Sequence, residues 1–333
     1  GDSVQFFPRL LGEEPFQGFL GRQFDCWLLA RHILDLLTLF DRFHSEERCI
    51  RYLEGLRWPK GVRCPRCDSD KISRIVKRAQ FDCDSCRYQF SVKAGTLFHD
   101  SHLPLRKWFA AVYMMCESRK GVSANQLKRV LKVAYKTAWY LCHRIRAALK
   151  DADTELLTGT VEADETYIGG RIKGKGRGFR GENKTMVLGA IERGGNIRLV
   201  AEGRRCTKKV LHRFIEKHTD PETERIFTDE WKGYQGIEDE DTKHETVTHS
   251  ADEWVRGDVH TNTIEGAFSL FKRSIVGAYH QVSAKHLPAY LDEFEFRFDN
   301  RHNPYLFRDT LLRLLKSEGL PYHRLIQQTT EES

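Results

Sequence analysis

Two CxxC pairs constrain this chain more tightly than any other feature. Cys64-Pro-Arg-Cys67 and Cys83-Asp-Ser-Cys86 stand fifteen residues apart, a spacing that lets each pair form one tight turn and offer two sulfurs to a tetrahedral Zn²⁺. The intervening KISRIVKRAQF favours strands, so the segment is expected to be a zinc ribbon, too short to hold itself together without its metal. Arg63, Arg66, Lys71, Arg74, Lys77, Arg78 and Arg87 stud it. They fit contacts to phosphates and fit a solvated basic surface as well. Cys26, Cys49, Cys116, Cys142 and Cys206 have no partner at ligand spacing and are expected to be buried thiols. Nine cysteines without a repeated disulfide framework point to a reducing compartment.

Three acids form the second constellation. Asp164 in VEADETYIGG and Asp229 in RIFTDEWKGY each end a short run of β-favouring residues, and Glu265 in HTNTIEGAFSLFKR opens a run with helical apolar spacing. A lone Asp after a strand is ordinary, because strand ends collect Asp for local hydrogen bonds. Three carboxylates far apart in sequence are instead what a pair of divalent ions requires, and Mg²⁺ prefers such hard oxygen ligands. Lys272 follows Glu265 by seven residues, about two helical turns, and projects from nearly the same side. Asn262, three residues before Glu265, suits helix capping or a DNA contact. Glu162, Glu165 and Glu230 adjoin the key Asp residues; alternation along a strand makes them supporting rather than ligating groups.

Between these two constellations, residues 103 to 149 read as helical. Gly121 breaks the first run, Ser123 can cap SANQLKRVLK, and a short turn leads into KTAWYLCHRIRAALK. Helix, tight turn and a second helix carrying Lys136, Thr137, His143, Arg144 and Arg146 is a helix-turn-helix pattern, whose second helix would enter a major groove. Two packed helices with basic outer faces read the same way. The bunched basic residues and a net charge of +7 favour a polyanionic partner.

From residue 158 the texture turns to strands: one in TGTVEADETYIGG, a hairpin around Gly194-Gly195, the helix TKKVLHRFIEKH, strands in RIFTDEW and HETVTH, then helices over roughly 261 to 276 and 284 to 302. Periodicity alone gives an α/β assignment, and the placement of the acids sharpens it to a ribonuclease-H-like mixed sheet. GGRIKGKGRGFRGENK, residues 169 to 184, is rich in Gly, Lys and Arg and is expected to be a mobile basic loop beside Asp164. No run approaches the ~20 apolar residues of a membrane span; FDCWLLARHILDLLTLF, residues 24 to 40, reads as an amphipathic helix.

From about residue 45 to 305 the chain resembles the DDE transposases of bacterial insertion sequences that begin with a zinc ribbon, a group related to eukaryotic Merlin elements. The likeness is carried by RWPKGVRCPRC, YQFSVKAGTLFHDSHLPLRKWF, KTAWYLCHRIR, VEADETYIGGR, FTDEWKGY and HTNTIEGAFSLFKRSIVGAYHQVSAKHLPAYLDEFEFRFDNR. It implies an α+β or α/β chain: an N-terminal extension (1–43), zinc ribbon (44–98), helix-turn-helix region (99–150), ribonuclease-H-like catalytic domain (158–305) and C-terminal helical tail (306–333). It implies a cut-and-paste enzyme with Asp164, Asp229, Glu265 and Lys272 as catalytic residues. Structural Zn²⁺ would sit on Cys64, Cys67, Cys83 and Cys86, and two Mg²⁺ or Mn²⁺ on the three acids.

The expected DNA contacts are Arg63, Arg66, Lys136, Thr137, His143, Arg144, Arg171, Lys173, Lys175, Arg177, Asn262, Lys272 and Arg273. Terminal inverted repeats and target DNA are the implied partners, with no membrane and a homodimer on paired ends. The expected setting is the cytoplasm or nucleoid of a bacterial host, or the nucleus of a eukaryotic one. Two other classes share parts of the pattern: a domesticated, catalytically silent DNA-binding regulator, and a nuclease of the ribonuclease H or resolvase type that cuts without joining.

Overall fold

The computed structural model describes residues 34–150, 155–169, 184–203, 206–238, 240–247 and 255–327. Two helices, α1 (Leu36–Arg42) and α2 (Glu46–Arg57), open it, each capped by a side chain that accepts a first-turn amide, Asp35 from Thr38 and Ser45 from Arg48. A three-stranded antiparallel ribbon follows, β1 (Ile72–Ile75), β2 (Gln80–Cys83) and β3 (Gln89–Phe90). Its own core is small: Phe81, Phe90, Cys64 and Cys83 beneath Trp58.

The next three helices are α3 (Leu105–Glu117), α4 (Ala124–Leu131) and α5 (Tyr135–Leu149). Ser123 caps α4 by accepting the Gln126 amide, the role its position before an apolar-periodic run suggests. Trp108, Phe109, Leu127, Leu141 and Ile145 fill a helical core. That core also takes in Leu39 and Leu53 from the first two helices and, from the far end of the chain, Leu311 and Leu314.

The larger sheet is built from β4 (Thr160–Gly169), β5 (Lys184–Glu192) and β6 (Ile197–Glu202), then, after α6 (Lys208–His218), β7 (Arg225–Asp229) and β8 (Lys243–Val247). Spatial order is β6-β5-β4-β7-β8. The first three strands are antiparallel neighbours, while β7 and β8 run parallel to β4. This is the ribonuclease-H-like mixed sheet, with β4 at its centre.

Alternation along β4 sorts its side chains. Val161 and Ala163 join Leu211, Phe214 and Ile215 of α6 in one core. On the opposite face lie α7 (Asn262–Ser274) and α8 (Leu287–Asp299), whose Ile264, Phe268, Leu291 and Phe294 pack with Val187, Ile191 and Leu199. A last long helix, α9 (Leu306–Lys316), brings Leu311 and Leu314 back to the amino-terminal helical core. Among the described residues no helix is long and apolar enough to cross a membrane.

Candidate active site

Strand β4 pairs with β7 only at Thr160, Val161 and Glu162, the last opposite Phe227. Beyond that pair the two parallel strands continue without a ladder between them. The gap in the ladder lies at the carboxyl end of β7 and beside the middle of β4, where the connections from the two strands leave in opposite directions, the usual place for a ligand in an open α/β sheet. Asp164 and Asp229 both stand at its mouth.

Their carboxylates come together. Asp164, Glu165 and Asp229 each offer an oxygen within 4.8 Å of the others, close to the spread of ligand oxygens around a cation with ~2.1 Å bonds. Local hydrogen bonds orient the two aspartates. Asp164 Oδ1 accepts the Glu165 amide at 2.7 Å, and Asp229 Oδ1 accepts the Trp231 amide at 3.1 Å. The buried Tyr234 hydroxyl donates to Glu165 Oε2 at 3.1 Å.

Burial and the crowding of like charge act on Asp164 together. Burial pushes its carboxyl up to about 7, and Glu165, Asp229 and Glu265 add to the rise. A divalent cation relieves such a strain directly, and an all-oxygen donor set suits a hard ion; the residues present fit that group.

Glu265 lies in the first turn of α7 and faces the same open cleft of about 590 Å³ as Asp164, Glu165, Lys272 and Arg273. It stands outside the tight group of three, and its Oε1 accepts the Thr261 hydroxyl at 2.9 Å. Glu165 was expected only to support. It leaves β4 on the face opposite Asp164, as alternation requires, but no β7 backbone is paired beside it, so its longer side chain reaches the aspartates. Asn262 does not cap α7: it is exposed at the first helical position, and the first-turn amides are taken by Glu162.

The four ribbon cysteines also converge. Cys64 and Cys86 sulfurs are 3.6 Å apart and Cys67 and Cys83 sulfurs 3.5 Å. A tetrahedron with ~2.3 Å Zn–S bonds has edges of about 3.8 Å, so the donor set fits zinc. The two knuckles repeat one geometry. Asp68 N–H donates to Cys64 O and Arg87 N–H to Cys83 O, and both Asp68 and Arg87 adopt φ of 56°.

The expected DNA contacts divide. Arg63 is exposed and paired with Asp68 at 2.9 Å, Arg66 is exposed near the Tyr88 ring, and Lys136 and Thr137 are exposed in the first turn of α5. Lys272 and Arg273 are exposed on the cleft. His143 and Arg144 are corrected: both are buried, at 2% and 4% exposure, and neither faces a groove. Burial and the nearby Arg146 hold His143 down to about 3, a neutral ring. Arg144 donates to the His99 carbonyl and lies over Trp108 and Tyr140. Arg146 is likewise internal, donating to Glu293 Oε2 at 2.6 Å. Arg171, Lys173, Lys175 and Arg177 lie outside the described residues.

Residues 44–89 match the family described as a transposase zinc-ribbon domain, and residues 156–299 match the ISXO2-like transposase domain. An uncharacterized protein in transposable element ISH50 of Halobacterium salinarum is 33% identical over 273 residues, covering 77% of this chain and 91% of the relative. Two solved structures align loosely. A chain of the simian T-cell lymphotropic virus intasome matches at 12% identity with a TM-score of 0.27, over 51% of this chain and 63% of that one. A chain of the Mos1 strand transfer complex matches at 13% identity with a TM-score of 0.27, over 62% and 75%. At these scores they carry no argument. The family match and the ISH50 relative do: the chain belongs to the ISXO2-like transposases with an amino-terminal zinc ribbon.

Proposed function

We propose that this transposase acts by cut-and-paste: it binds the terminal inverted repeats of its element, cleaves at their ends and joins the exposed 3′-hydroxyl to target DNA. The observation that carries this reading is the meeting of Asp164 and Asp229 where β4 and β7 part, with Glu265 facing the cleft that Asp164 lines.

Asp164, Asp229 and Glu265 would hold two Mg²⁺ or Mn²⁺ ions, and Cys64, Cys67, Cys83 and Cys86 a structural Zn²⁺. Divalent ions at such a site activate the attacking oxygen of an in-line displacement and stabilise the leaving one. Asp164, central in the sheet, is the carboxylate suited to serve both. Lys272 places a fixed cation beside the carboxylates, where a phosphate of the bound strand would lie. Arg273 on the cleft, Lys136 and Thr137 at the start of α5, Arg63 and Arg66 on the ribbon and exposed Asn262 are the proposed DNA contacts. The ribbon and helices before residue 150 would recognise the ends and the sheet domain from 158 to 305 cut them. Paired ends imply a homodimer, working in the nucleoid of a bacterial host or the nucleus of a eukaryotic one.

The test uses labelled duplexes taken from the DNA flanking the coding sequence, incubated with Mg²⁺ and a target plasmid. Wild-type protein should release a 3′-hydroxyl end and join it; Asp164→Ala should bind the same duplex and yield neither product. Cleavage without joining would favour a plain nuclease, and binding without cleavage a silent regulator.

A further inference from the structure

The geometry points to Glu162 as a positioning residue: from the central strand it caps α7, and so sets where Glu265 and Lys272 stand relative to Asp164. This rests on the transposase reading above and adds a residue to it.

Glu162 is fully buried, at 0% exposure. A buried carboxylate is costly unless its oxygens are occupied, and these are. Oε2 accepts the amides of Thr263 at 2.8 Å and Ile264 at 3.1 Å. Oε1 accepts the Thr263 hydroxyl at 2.8 Å and Arg193 Nε at 2.7 Å.

The donors identify the role. Thr263 and Ile264 lie in the first turn of α7, and their amides are among those that a helix leaves without an internal partner. The residue in the capping position, Thr261, makes no side-chain cap; its hydroxyl is given to Glu265 Oε1 instead. The cap therefore comes from another element, and as a carboxylate it also complements the positive end of the helix dipole. Arg193, just past the end of β5, strengthens the joint. Besides Glu162 it holds the carbonyls of Asp258 at 2.8 Å and His260 at 3.2 Å, the approach to the helix.

Placement turns this joint into a device for the active site. Glu162 and Asp164 lie on one face of β4. Glu265 follows Ile264 directly, and Lys272 lies two turns further along the same rigid helix. One side chain thus joins the element carrying Asp164 to the element carrying Glu265 and Lys272. Misplacement by ~1 Å is enough to cost about 10²-fold in rate.

The experiment compares full-length, zinc-loaded wild type with Glu162→Gln, Thr263→Val and Asp164→Ala. Mn²⁺ affinity is measured by titration calorimetry, cleavage of the labelled flanking duplex is followed across Mn²⁺ concentrations, and thermal unfolding and duplex affinity are recorded for each. An amide at 162 turns an N–H₂ toward donors. Glu162→Gln should therefore weaken Mn²⁺ binding and slow cleavage at saturating Mn²⁺ and saturating duplex by roughly 10- to 100-fold, the usual effect of removing a group that orients metal ligands. Thr263→Val, which removes one of the four donors, should move both quantities the same way by less. A Glu162→Gln protein that melts earlier yet keeps wild-type Mn²⁺ affinity and saturated rate overturns the proposal, since a purely structural cap predicts that pattern. Should Glu162→Gln not fold, Thr263→Val decides by the same two readouts. Asp164→Ala separates the two levels: wild-type cleavage by that variant defeats the transposase chemistry itself.

Discussion

Asp164 and Asp229 share one level of the sheet: each lies two residues past Glu162 and Phe227, the last pair that β4 and β7 make, and their carboxylates bring oxygens within 4.8 Å of one another. Burial first, then Glu165, lifts Asp164 from an ordinary 3.8 to about 7. The folded value exceeds the unfolded one, so the carboxyl's contribution is fully present below about pH 3.8 and is lost as pH rises through about 7. Zinc-loaded protein free of other divalent ions should therefore melt at lower temperature at pH 8 than at pH 5, and added Mn²⁺ should raise the melting temperature more at pH 8. Glu295, pushed up to about 8 by its own burial, adds a similar decline in every variant. The readout is accordingly wild type minus Asp164→Asn across pH; parallel curves would remove Asp164 from the effect.

Zinc removal should act on the ribbon alone. Its buried cluster is confined to a handful of residues around Phe81 and Phe90, whereas structural Zn²⁺ in small finger peptides contributes about 10–16 kcal/mol at pH 7. A strong chelator, or Cys83→Ser, should expose the segment from 58 to 94 to rapid proteolysis while the sheet domain keeps its hydrogen-exchange protection. Protection of the ribbon at wild-type levels in the zinc-free protein would contradict this.

The contrast between those two centres explains what could be read in advance. Cys64, Cys67, Cys83 and Cys86 declare themselves because a knuckle is local: four letters build half the site. Asp229 was legible from the strand it ends, and Asp164 from the β-favouring run before it, although β4 continues past Asp164 to Gly169. Glu162 reads only as a supporting group, without its partners, and Glu165 reads as supporting where the structure brings it to the aspartates. Alternation assigns the face a side chain leaves from, but it does not say where a neighbouring strand stops, and the end of the β4–β7 ladder at Glu162 is what frees Glu165 to turn toward the aspartates. Glu162 depends on partners at 193 and 263 that no local pattern connects to it. His143, Arg144 and Arg146 misled for the same reason. Basic residues on an amphipathic helix suggest an outer face, yet Arg146 finds Glu293 in α8, 147 positions away.

That Arg146–Glu293 contact supports a sharp stability prediction. Arg146 and Glu293 side chains are 2% and 0% exposed, and Tyr279, just past the end of α7, donates its hydroxyl to Glu293 at 3.0 Å. Arg146→Met leaves the carboxylate buried with less compensation, at a cost of about 3–5 kcal/mol. Replacing both residues with apolar ones should recover only part of that loss, because Arg297, 3.4 Å from Glu293 and itself buried, then keeps its charge without that carboxylate. Chemical denaturation of the single and double variants checks it; a double variant as unstable as the single would show that the uncompensated Glu293 charge is not what the single variant loses.

Gly189 tests how closely α7 must approach the sheet. It pairs with Asp164 across β4 and β5, and a Cβ there would stand 2.6 Å from Phe268 Cζ and 2.9 Å from Ile264 Cδ1. Overpacking of this kind costs about 1–3 kcal/mol, and the displaced helix carries Glu265. Gly189→Ala should therefore lower both stability and the cleavage rate, with the rate falling further than the unfolded fraction explains. A stability loss with an undiminished rate per folded molecule would show that α7 has slack against the sheet.

Loss of Lys272 and loss of Arg63 should change the salt dependence of DNA binding by different amounts. Lys272 is exposed on the cleft that Asp164 and Glu265 line, and a lysine that neutralises a phosphate releases counterions when it binds. Removing it should lower the slope of log Kd against log salt by about 1, together with the cleavage rate. Arg63 already forms an exposed ion pair with Asp68, at 2.9 Å, and must give up that partner to take a phosphate, so Arg63→Ala should change the slope less. Duplex affinity measured from low to moderate KCl for Lys272→Ala, Lys272→Arg and Arg63→Ala separates the cases. Lys272→Arg keeps the charge and should hold the slope while losing rate, because the guanidinium is longer and planar. An unchanged slope in Lys272→Ala would place that residue off the DNA path and leave Arg273 as the cation the cleft presents to its substrate.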